Sequence, residues 1–224
     1  METYTRQETG SDVQNDPKAQ DLLRGAFEKT ARWQSDFQGF QADLRINVNG
    51  TETKGTVTVK GPKDVSVQIQ DEELQKWAQD QIGMIAVHRG PRTFENSDGK
   101  YALTLGGDEN HPLGQRVNIH GDGMESWYRT KDNRITQINR KMPRIAFTIN
   151  VEESALTQDN KYLTTRYTVY YFSPKDGTLQ NVDSFTDTHT RISSSDLPAT
   201  RRIISYENGA VVTRTLVFEN HKML

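Results

Sequence analysis

Alternation of apolar and polar residues, interrupted by turn residues, constrains this chain most strongly. Residues 41–48 alternate in this way, and Asn49-Gly50 follows as the residue pair of a tight hairpin turn. The same period recurs around Val57 and Val59, and again from Val65 to Ile69 after a Gly-Pro turn. These segments predict a three-stranded antiparallel meander with one apolar face.

Many more alternating runs follow along the chain. They predict strands at residues 92–96, 100–105, 115–120, 124–130, 135–139, 144–152, 161–172, 178–185, 188–193, 201–206 and 211–218. Asp98-Gly99 predicts a hairpin between the first two, and Asn208-Gly209 joins the last two. These runs amount to ten to twelve strands beyond the meander. We expect all the strands to form a large curved antiparallel sheet or incomplete barrel, because strongly twisted sheets of this size curl.

Two amphipathic helices are predicted beside the strands. Asp16-Pro17 is a good start for a helix that we expect to run to about Gln34. Asp71-Glu72-Glu73 opens a second helix, which is expected to end near His88 before Gly90-Pro91. The fold class is therefore mainly β (α+β), with both helices expected on the concave face of the sheet.

Length favours a single domain, because 224 residues fit one large β domain better than two separate cores. Residues 1–15 are mostly polar, so we expect a disordered lead-in followed by one curved-sheet domain over residues 16–224.

Composition and charge exclude several classes of partner and site. A net charge of -2, with acidic and basic residues intermixed, gives no field that attracts nucleic acid. The absence of cysteine excludes disulfides, thiolate nucleophiles and cysteine-ligated metals. No window approaches the roughly 20 apolar residues that span a bilayer, and the start lacks the features of a secretory signal. The chain is therefore expected to be cytoplasmic and not transmembrane, although a leader removed beforehand would leave the same sequence.

The titratable residues form no recognisable catalytic or metal motif. The histidines are scattered without zinc-site spacing, so no metal or cofactor is predicted. Asp183, Asp187, His189 and Arg191 fall on one face of a predicted strand, where Asp187 and His189 are able to touch. The favoured interpretation is a solvated outer face on which acids and bases pair. No catalytic residue is predicted.

Aromatic residues are concentrated in the run from Tyr162 to Phe172, which is apolar on both faces. Such a strand is either buried centrally or faces a cavity. The residues predicted to line an apolar pocket are Trp77, Ile82, Trp127, Phe147, Ile149, Tyr170 and Phe172. A filled core is the alternative, and inward side chains in most sheets favour it.

Several stretches resemble a cyanobacterial and plastid family of unknown function. They are residues 27–33, 37–44, 55–60, 196–202 and 220–222. The order of helix, three strands, helix and further strands is also similar to periplasmic lipoprotein-carrier (LolA-like) proteins. That resemblance implies an architecture in which acyl chains lie between a curved sheet and helical lids.

Two hypotheses of function follow. The first is a non-enzymatic protein that binds an apolar or amphipathic ligand, and the resemblance to a photosynthetic lineage implies a lipid, pigment or isoprenoid. The alternative is a protein-interaction or assembly factor with a filled core, which predicts a sizeable exposed apolar patch.

Overall fold

The computed structural model of the chain describes residues 13–107, 109–121 and 125–224. Residues 1–12 of the predicted lead-in lie outside this part. The described chain is mainly β, as predicted, with two α-helices, α1 Pro17–Lys29 and α2 Glu72–Arg89, and one short 3-10 turn at Asp98–Lys100. The strands are β1 Phe40–Val48, β2 Thr51–Gly61, β3 Asp64–Gln68, β4 Ala102–Leu105, β5 Gln115–His120, β6 Glu125–Lys131, β7 Arg134–Lys141, β8 Ala146–Leu156, β9 Tyr162–Phe172, β10 Leu179–Ile192, β11 Ser195–Glu207 and β12 Ala210–Met223.

All twelve strands belong to one antiparallel sheet in the order β3-β2-β1-β12-β11-β10-β9-β8-β7-β6-β5-β4. Most strands pair with the strands that precede and follow them in the sequence. The exception inside the sheet is the pairing of β1 with β12, and β3 and β4 are the two edge strands. The sheet is therefore not closed into a barrel, as the incomplete-barrel prediction states.

The contacts within the chain define two compact units. Unit 1 contains the described residues up to Lys29, together with Thr93–Asn150 and Tyr170–Gln180. Unit 2 contains Thr30–Arg92, Val151–Val169 and Asn181–Leu224. Each unit has one helix and one apolar cluster.

In unit 1, α1 packs on the face of β4 to β7. The side chain of Asp16 accepts a hydrogen bond from the amide of Lys18 at 2.8 Å, as expected for the cap of a helix that begins at Pro17. Asn15 accepts a hydrogen bond from the amide of Leu103, which ties the start of α1 to β4. The buried residues beneath the helix, called the α1 cluster, are Ala19, Leu23, Phe27, Phe94, Leu103, Val117, Ile119 and Tyr128.

Helix α1 ends earlier than predicted, at Lys29 instead of about Gln34. Thr30 forms a parallel bridge with Tyr162, and the amide of Ala31 donates to the carbonyl of Tyr162 at 2.8 Å. The amide of Trp33 donates to the carbonyl of Arg89. These tertiary bonds replace the next helical turn, which a local pattern cannot anticipate.

In unit 2, α2 packs on β1, β2, β3, β11 and β12. The Asp71 side chain accepts from the amide of Leu74 at 2.9 Å and caps the helix, and the Gly90 amide donates to the carbonyl of Ala86 at its end. The predicted end near His88 is therefore correct to within one residue. The buried residues in this group, called the α2 cluster, are Trp33, Phe40, Ala42, Leu44, Ile46, Val57, Val59, Val67, Ala78, Ile82, Ile85, Ala86, Leu197, Leu216 and Phe218.

Two strand predictions are wrong. Residues 92–96 form no strand, because the carbonyl of Phe94 accepts from the amides of Ser97 and Gly99 while its ring fills the α1 cluster. Residues 178–185 and 188–193 were expected as separate strands, but they form the single strand β10. A register shift opposite Thr188 and His189 accommodates this length.

Candidate functional site

The residues predicted to line one pocket are divided between the two units. Trp77 and Ile82 lie on α2 in unit 2, whereas unit 1 contains the other members, Trp127, Phe147, Ile149, Tyr170 and Phe172. Ile82 is only 1 % exposed within the α2 cluster, so it is a core residue. Trp77 is half-buried at the margin of that cluster, with the guanidinium of Arg214 5.4 Å from its ring centroid.

Phe147 and Ile149 lie on the sheet face that α1 covers. Ile149 pairs with Ile138, and Ile138 pairs with Tyr128, whose side chain belongs to the α1 cluster. Phe147 shares this face because it occupies an alternating position on the same strand. Both side chains are half-buried and lie outside the α1 cluster. The apolar face of unit 1 therefore extends past that cluster onto β8.

Trp127 faces the other way. It pairs with Asn139 on β7, so it lies on the opposite side of the sheet from its neighbour Tyr128. The guanidinium groups of Arg116 and Arg129 lie 4.8 and 5.5 Å from its ring centroid. Trp127 is consequently part of a polar face stabilised by cation–π contacts, and it cannot line one surface with the apolar residues of β8.

Tyr170 and Phe172 are both half-buried at the end of β9 in unit 1. They occupy alternating positions, so they share one face of this strand.

The α2 face of unit 2 carries a second apolar group beyond the α2 cluster. Arg201 pairs with Leu216 of that cluster, so Ile203, which alternates with Arg201, is on the same face. Ile203 pairs with Phe185, and the Phe185 ring stacks on Tyr167 with centroids 4.6 Å apart. We call Ile203, Phe185 and Tyr167 the β9–β11 group.

A buried ion pair lies beside the β9–β11 group. Asp187 is 8 % exposed, and its carboxylate accepts hydrogen bonds from Nε and Nη2 of Arg201 at 3.0 and 2.7 Å. Arg201 also donates to the hydroxyl of Tyr167 at 3.1 Å and to the carbonyl of Gln81 on α2 at 3.3 Å. The interpretation of Asp187 as part of a solvated outer face is therefore wrong. Arg201 lies opposite Asp187 at an inward-facing position, and its guanidinium is the charged partner that offsets the cost of burying the carboxylate.

His189 is half-buried near two cationic side chains. Burial, together with the positive charges of Arg89 and Arg201, lowers the pKa of its imidazole to about 4. The ring is consequently neutral at pH 7 and able both to donate and to accept a hydrogen bond. Asp187, which was expected to touch it, bonds to Arg201.

Arg89 is the functional candidate that sequence reasoning missed. It is 7 % exposed at the end of α2, and burial lowers its pKa to about 10, against an opposing effect of Asp196. Its Nη2 donates to the backbone carbonyl of Asp196 at 3.1 Å, and its guanidinium carbon lies 5.7 Å from the Trp33 ring centroid. The sequence does contain a signal, because position 89 continues the buried stripe of Ile82 and Ile85 at helical spacing.

Residues 14–224 match the family model described as "Protein of unknown function (DUF3386)". The chain belongs to this family. The predicted membership of a family of unknown function is thereby confirmed, whereas a cyanobacterial origin stays a prediction. None of the curated proteins matches the sequence significantly.

Solved structures similar to this DUF3386 protein include two of the LolA type. A LolA superfamily protein from Nitrosomonas europaea is 14% identical, with 92% of this chain and 93% of the other covered and a TM-score of 0.39. A putative outer membrane lipoprotein-sorting protein domain from Vibrio parahaemolyticus is 11% identical, with the same coverage and a TM-score of 0.38. The MucA/MucB complex of Pseudomonas aeruginosa contains a chain that is 12% identical, with 90% and 93% covered and a TM-score of 0.25. At these values the similarity says nothing about what the DUF3386 protein binds.

Within the described residues, neither helix has the length and apolar character needed to cross a membrane. The cytoplasmic location stays a prediction.

Proposed function

We propose that this DUF3386 protein is a non-enzymatic binding protein for an apolar or amphipathic small molecule, such as a lipid, pigment or isoprenoid. One observation carries the proposal. In each unit, the apolar face of the sheet is wider than the cluster beneath its helix. In unit 1 the excess is Phe147 and Ile149, and in unit 2 it is the β9–β11 group.

Phe147 and Ile149 in unit 1 and Tyr167 in unit 2 are half-buried, and they favour a ligand because covering them removes apolar area from water. Phe185 and Ile203 are already buried, at 2% and 3% exposed, and form the floor beside Tyr167. Each Å² removed contributes about 25 cal/mol to the free energy of binding. An acyl or isoprenoid chain is a suitable occupant, since it presents a flexible apolar surface without hydrogen-bonding requirements.

An amphipathic molecule suits unit 2 better than a purely apolar one. The β9–β11 group lies against the buried Arg201–Asp187 pair, with Tyr167 contacting both Phe185 and Arg201. Apolar rings and strong hydrogen-bonding groups therefore meet on one face. Binding sites for small molecules commonly combine an apolar lining with a few polar groups that fix orientation.

Native mass spectrometry of the protein purified from its own source tests this proposal. We expect a stoichiometric small molecule that organic extraction releases and that rebinds to the delipidated protein. Phe147→Ala and Trp77→Ala should each weaken rebinding, whereas Thr148→Ala is the matched control, since Thr148 alternates with Phe147 and faces the other side of β8. Protein that is empty at source and takes up no lipid, pigment or isoprenoid would overturn the proposal.

A second candidate, a protein-interaction factor, is favoured by an exposed apolar group on β11 and β12. Tyr206 and Val211 are cross-strand partners that are 62% and 64% exposed, and Ile204 shares their face. Crosslinking from a photoreactive residue at position 211 to one defined protein partner in cells would support this function. Unchanged crosslinking after Tyr206→Asp would count against it.

A further inference from the structure

Unit 2 buries the guanidinium of Arg89 without giving it a carboxylate partner. Its hydrogen bond to the protein goes from Nη2 to a neutral acceptor, the backbone carbonyl of Asp196, which also accepts from Nε1 of Trp33 at 3.2 Å. Nε and Nη1 of Arg89 are buried and have no acceptor among the described residues. Buried charges in proteins are normally paired, because leaving one unpaired is strongly destabilising.

The carboxylates nearest in the network are already engaged by other arginines. Asp187 is held by Arg201, with the shorter bond at 2.7 Å. The carboxylate of Asp196 is held by Arg191 at 2.8 Å, and it reaches Arg89 only as a longer-range attraction. Arg89 is therefore left with donors for one further anion.

His189 provides a second unused polar group close to Arg89. His189 pairs with Pro198 across β10 and β11, two residues from Asp196, whose backbone carbonyl accepts from Arg89. Burial and the charge of Arg89 both lower the pKa of the imidazole. Within the described part of the chain, neither ring nitrogen of His189 has a hydrogen-bond partner. A neutral imidazole beside a guanidinium supplies a directional donor without adding a second positive charge.

Apolar surface adjoins these groups. The Arg89 guanidinium faces the ring of Trp33, and Trp33 stacks on Phe37 with centroids 4.4 Å apart. Phe37 is partly buried at the margin of the α2 cluster. Trp33 itself is only 3% exposed, so the half-buried ring of Phe37 is the aromatic surface that a molecule with its charged end at Arg89 would meet.

We propose that Arg89, assisted by His189, binds the anionic headgroup of an amphipathic ligand, a carboxylate or phosphate carried on an apolar tail. This inference rests on the proposed function and specifies the class of ligand. A guanidinium is suited to this role because it stays charged and forms strong, directional hydrogen bonds to both groups.

The wild-type protein gives the first test. Delipidated protein is titrated with palmitate, hexadecyl phosphate and hexadecanol, which share a tail, and dissociation constants are measured by displacement of a fluorescent apolar probe. We expect at least one anionic ligand to bind about tenfold or more tightly than the alcohol, since hydrogen bonds to charged groups contribute this much. The preference between palmitate and hexadecyl phosphate identifies the headgroup.

Variants of two arginines give the second test. Arg89→Met should remove the preference for the anionic ligands over hexadecanol, and Arg89→Lys should retain part of that preference. Arg202→Met is the matched control, because Arg202 is an exposed arginine on β11 and should keep the full preference.

The two proposals fail in different ways. Equal affinity of the wild-type protein for acid, phosphate and alcohol would overturn the headgroup inference alone, as would a preference that survives in Arg89→Met. Failure to bind any of the three ligands, together with failure to take up a pigment or isoprenoid, would overturn the proposed function as well. If Arg89→Met does not fold, the affinities of the wild-type protein for the three ligands still test the headgroup inference.

Discussion

The guanidinium of Arg201 holds the carboxylate of Asp187 through two hydrogen bonds, at 3.0 and 2.7 Å, in the interior of unit 2. Its Nη1 also donates to the carbonyl of Gln81 on α2, at 3.3 Å. The ion pair therefore joins β10 and β11 to the helix that covers them.

Removing one partner of this pair should destabilise the protein strongly. We expect Asp187→Asn or Arg201→Met to lower the free energy of unfolding by about 3 to 5 kcal/mol, because the remaining group loses its partner while buried. Urea denaturation measures the change. Arg214→Met is the control, since its ion pair with Glu207 is partly exposed and should contribute about 1 kcal/mol or less. Equal losses in the two arginine variants would contradict this account.

His189 should make stability depend on pH. Its pKa is about 4 in the folded protein, below the ordinary value of 6.5, so the unfolded chain binds the proton more readily. The stability that neutral His189 contributes is fully present above pH 6.5 and is lost as the pH falls through 4. The free energy of unfolding decreases by about 3 kcal/mol in total. Denaturation of wild type and His189→Asn at pH 7.5 and 4.5 measures it. The variant should lose less stability between these values, and imidazole signals that titrate near pH 6.5 at His189 would refute the prediction.

Substitution by alanine should change the stability in opposite directions at two glycines. Gly39 has a φ of 114°, and a Cβ there would clash with the Val59 carbonyl oxygen, so Gly39→Ala should destabilise by about 2 kcal/mol. Gly83 lies within α2 with open space around it, so Gly83→Ala should stabilise by about 0.5 to 1 kcal/mol. Thermal denaturation of both variants shows whether each melting temperature rises or falls. A shift of the melting temperature in the same direction for both variants would contradict the prediction.

The cap of α2 should contribute measurably to stability. Asp71→Ala removes the acceptor for the Leu74 amide and should lower the free energy of unfolding by about 1 kcal/mol. Asp71→Asn keeps an oxygen at the same place and should lose much less. Chemical denaturation of both variants compares them, and indistinguishable losses would show that the capping oxygen is unimportant.

Local patterns predicted most of the fold because alternation and turn residues are themselves local. Asn49-Gly50 and Asn208-Gly209 have the positive φ angles that their hairpins require, and each joins two strands where strands were predicted. However, β11 begins at Ser195 and β12 ends at Met223, well beyond the predicted 201–206 and 211–218. The errors occurred where a tertiary contact outweighs local preference. Ala31 leaves the helix to bond to Tyr162, and Phe94 turns the chain in order to fill the α1 cluster.

The candidate site was harder to predict, because strand register decides which side chains meet. Trp127 and Phe147 are equally apolar in sequence, but pairing with Asn139 places Trp127 on the polar face. Asp187 is buried only because Arg201 lies opposite it, on a strand separated from it by a turn. Arg89 lies one residue beyond the predicted end of α2 near His88, although its position continues the buried stripe of the helix.

The pairing of β1 with β12, from Phe40 opposite Met223 to Val48 opposite Arg214, also affects how unit 2 is made during translation. The hairpins β1–β2 and β2–β3 can form early, because their partners are close in sequence. The other edge of β1 has no partner until β12 leaves the ribosome, after the intervening strands β2 to β11 have been synthesised. During that interval the nascent protein presents an unpaired strand edge, which favours association with chaperones or with other nascent chains.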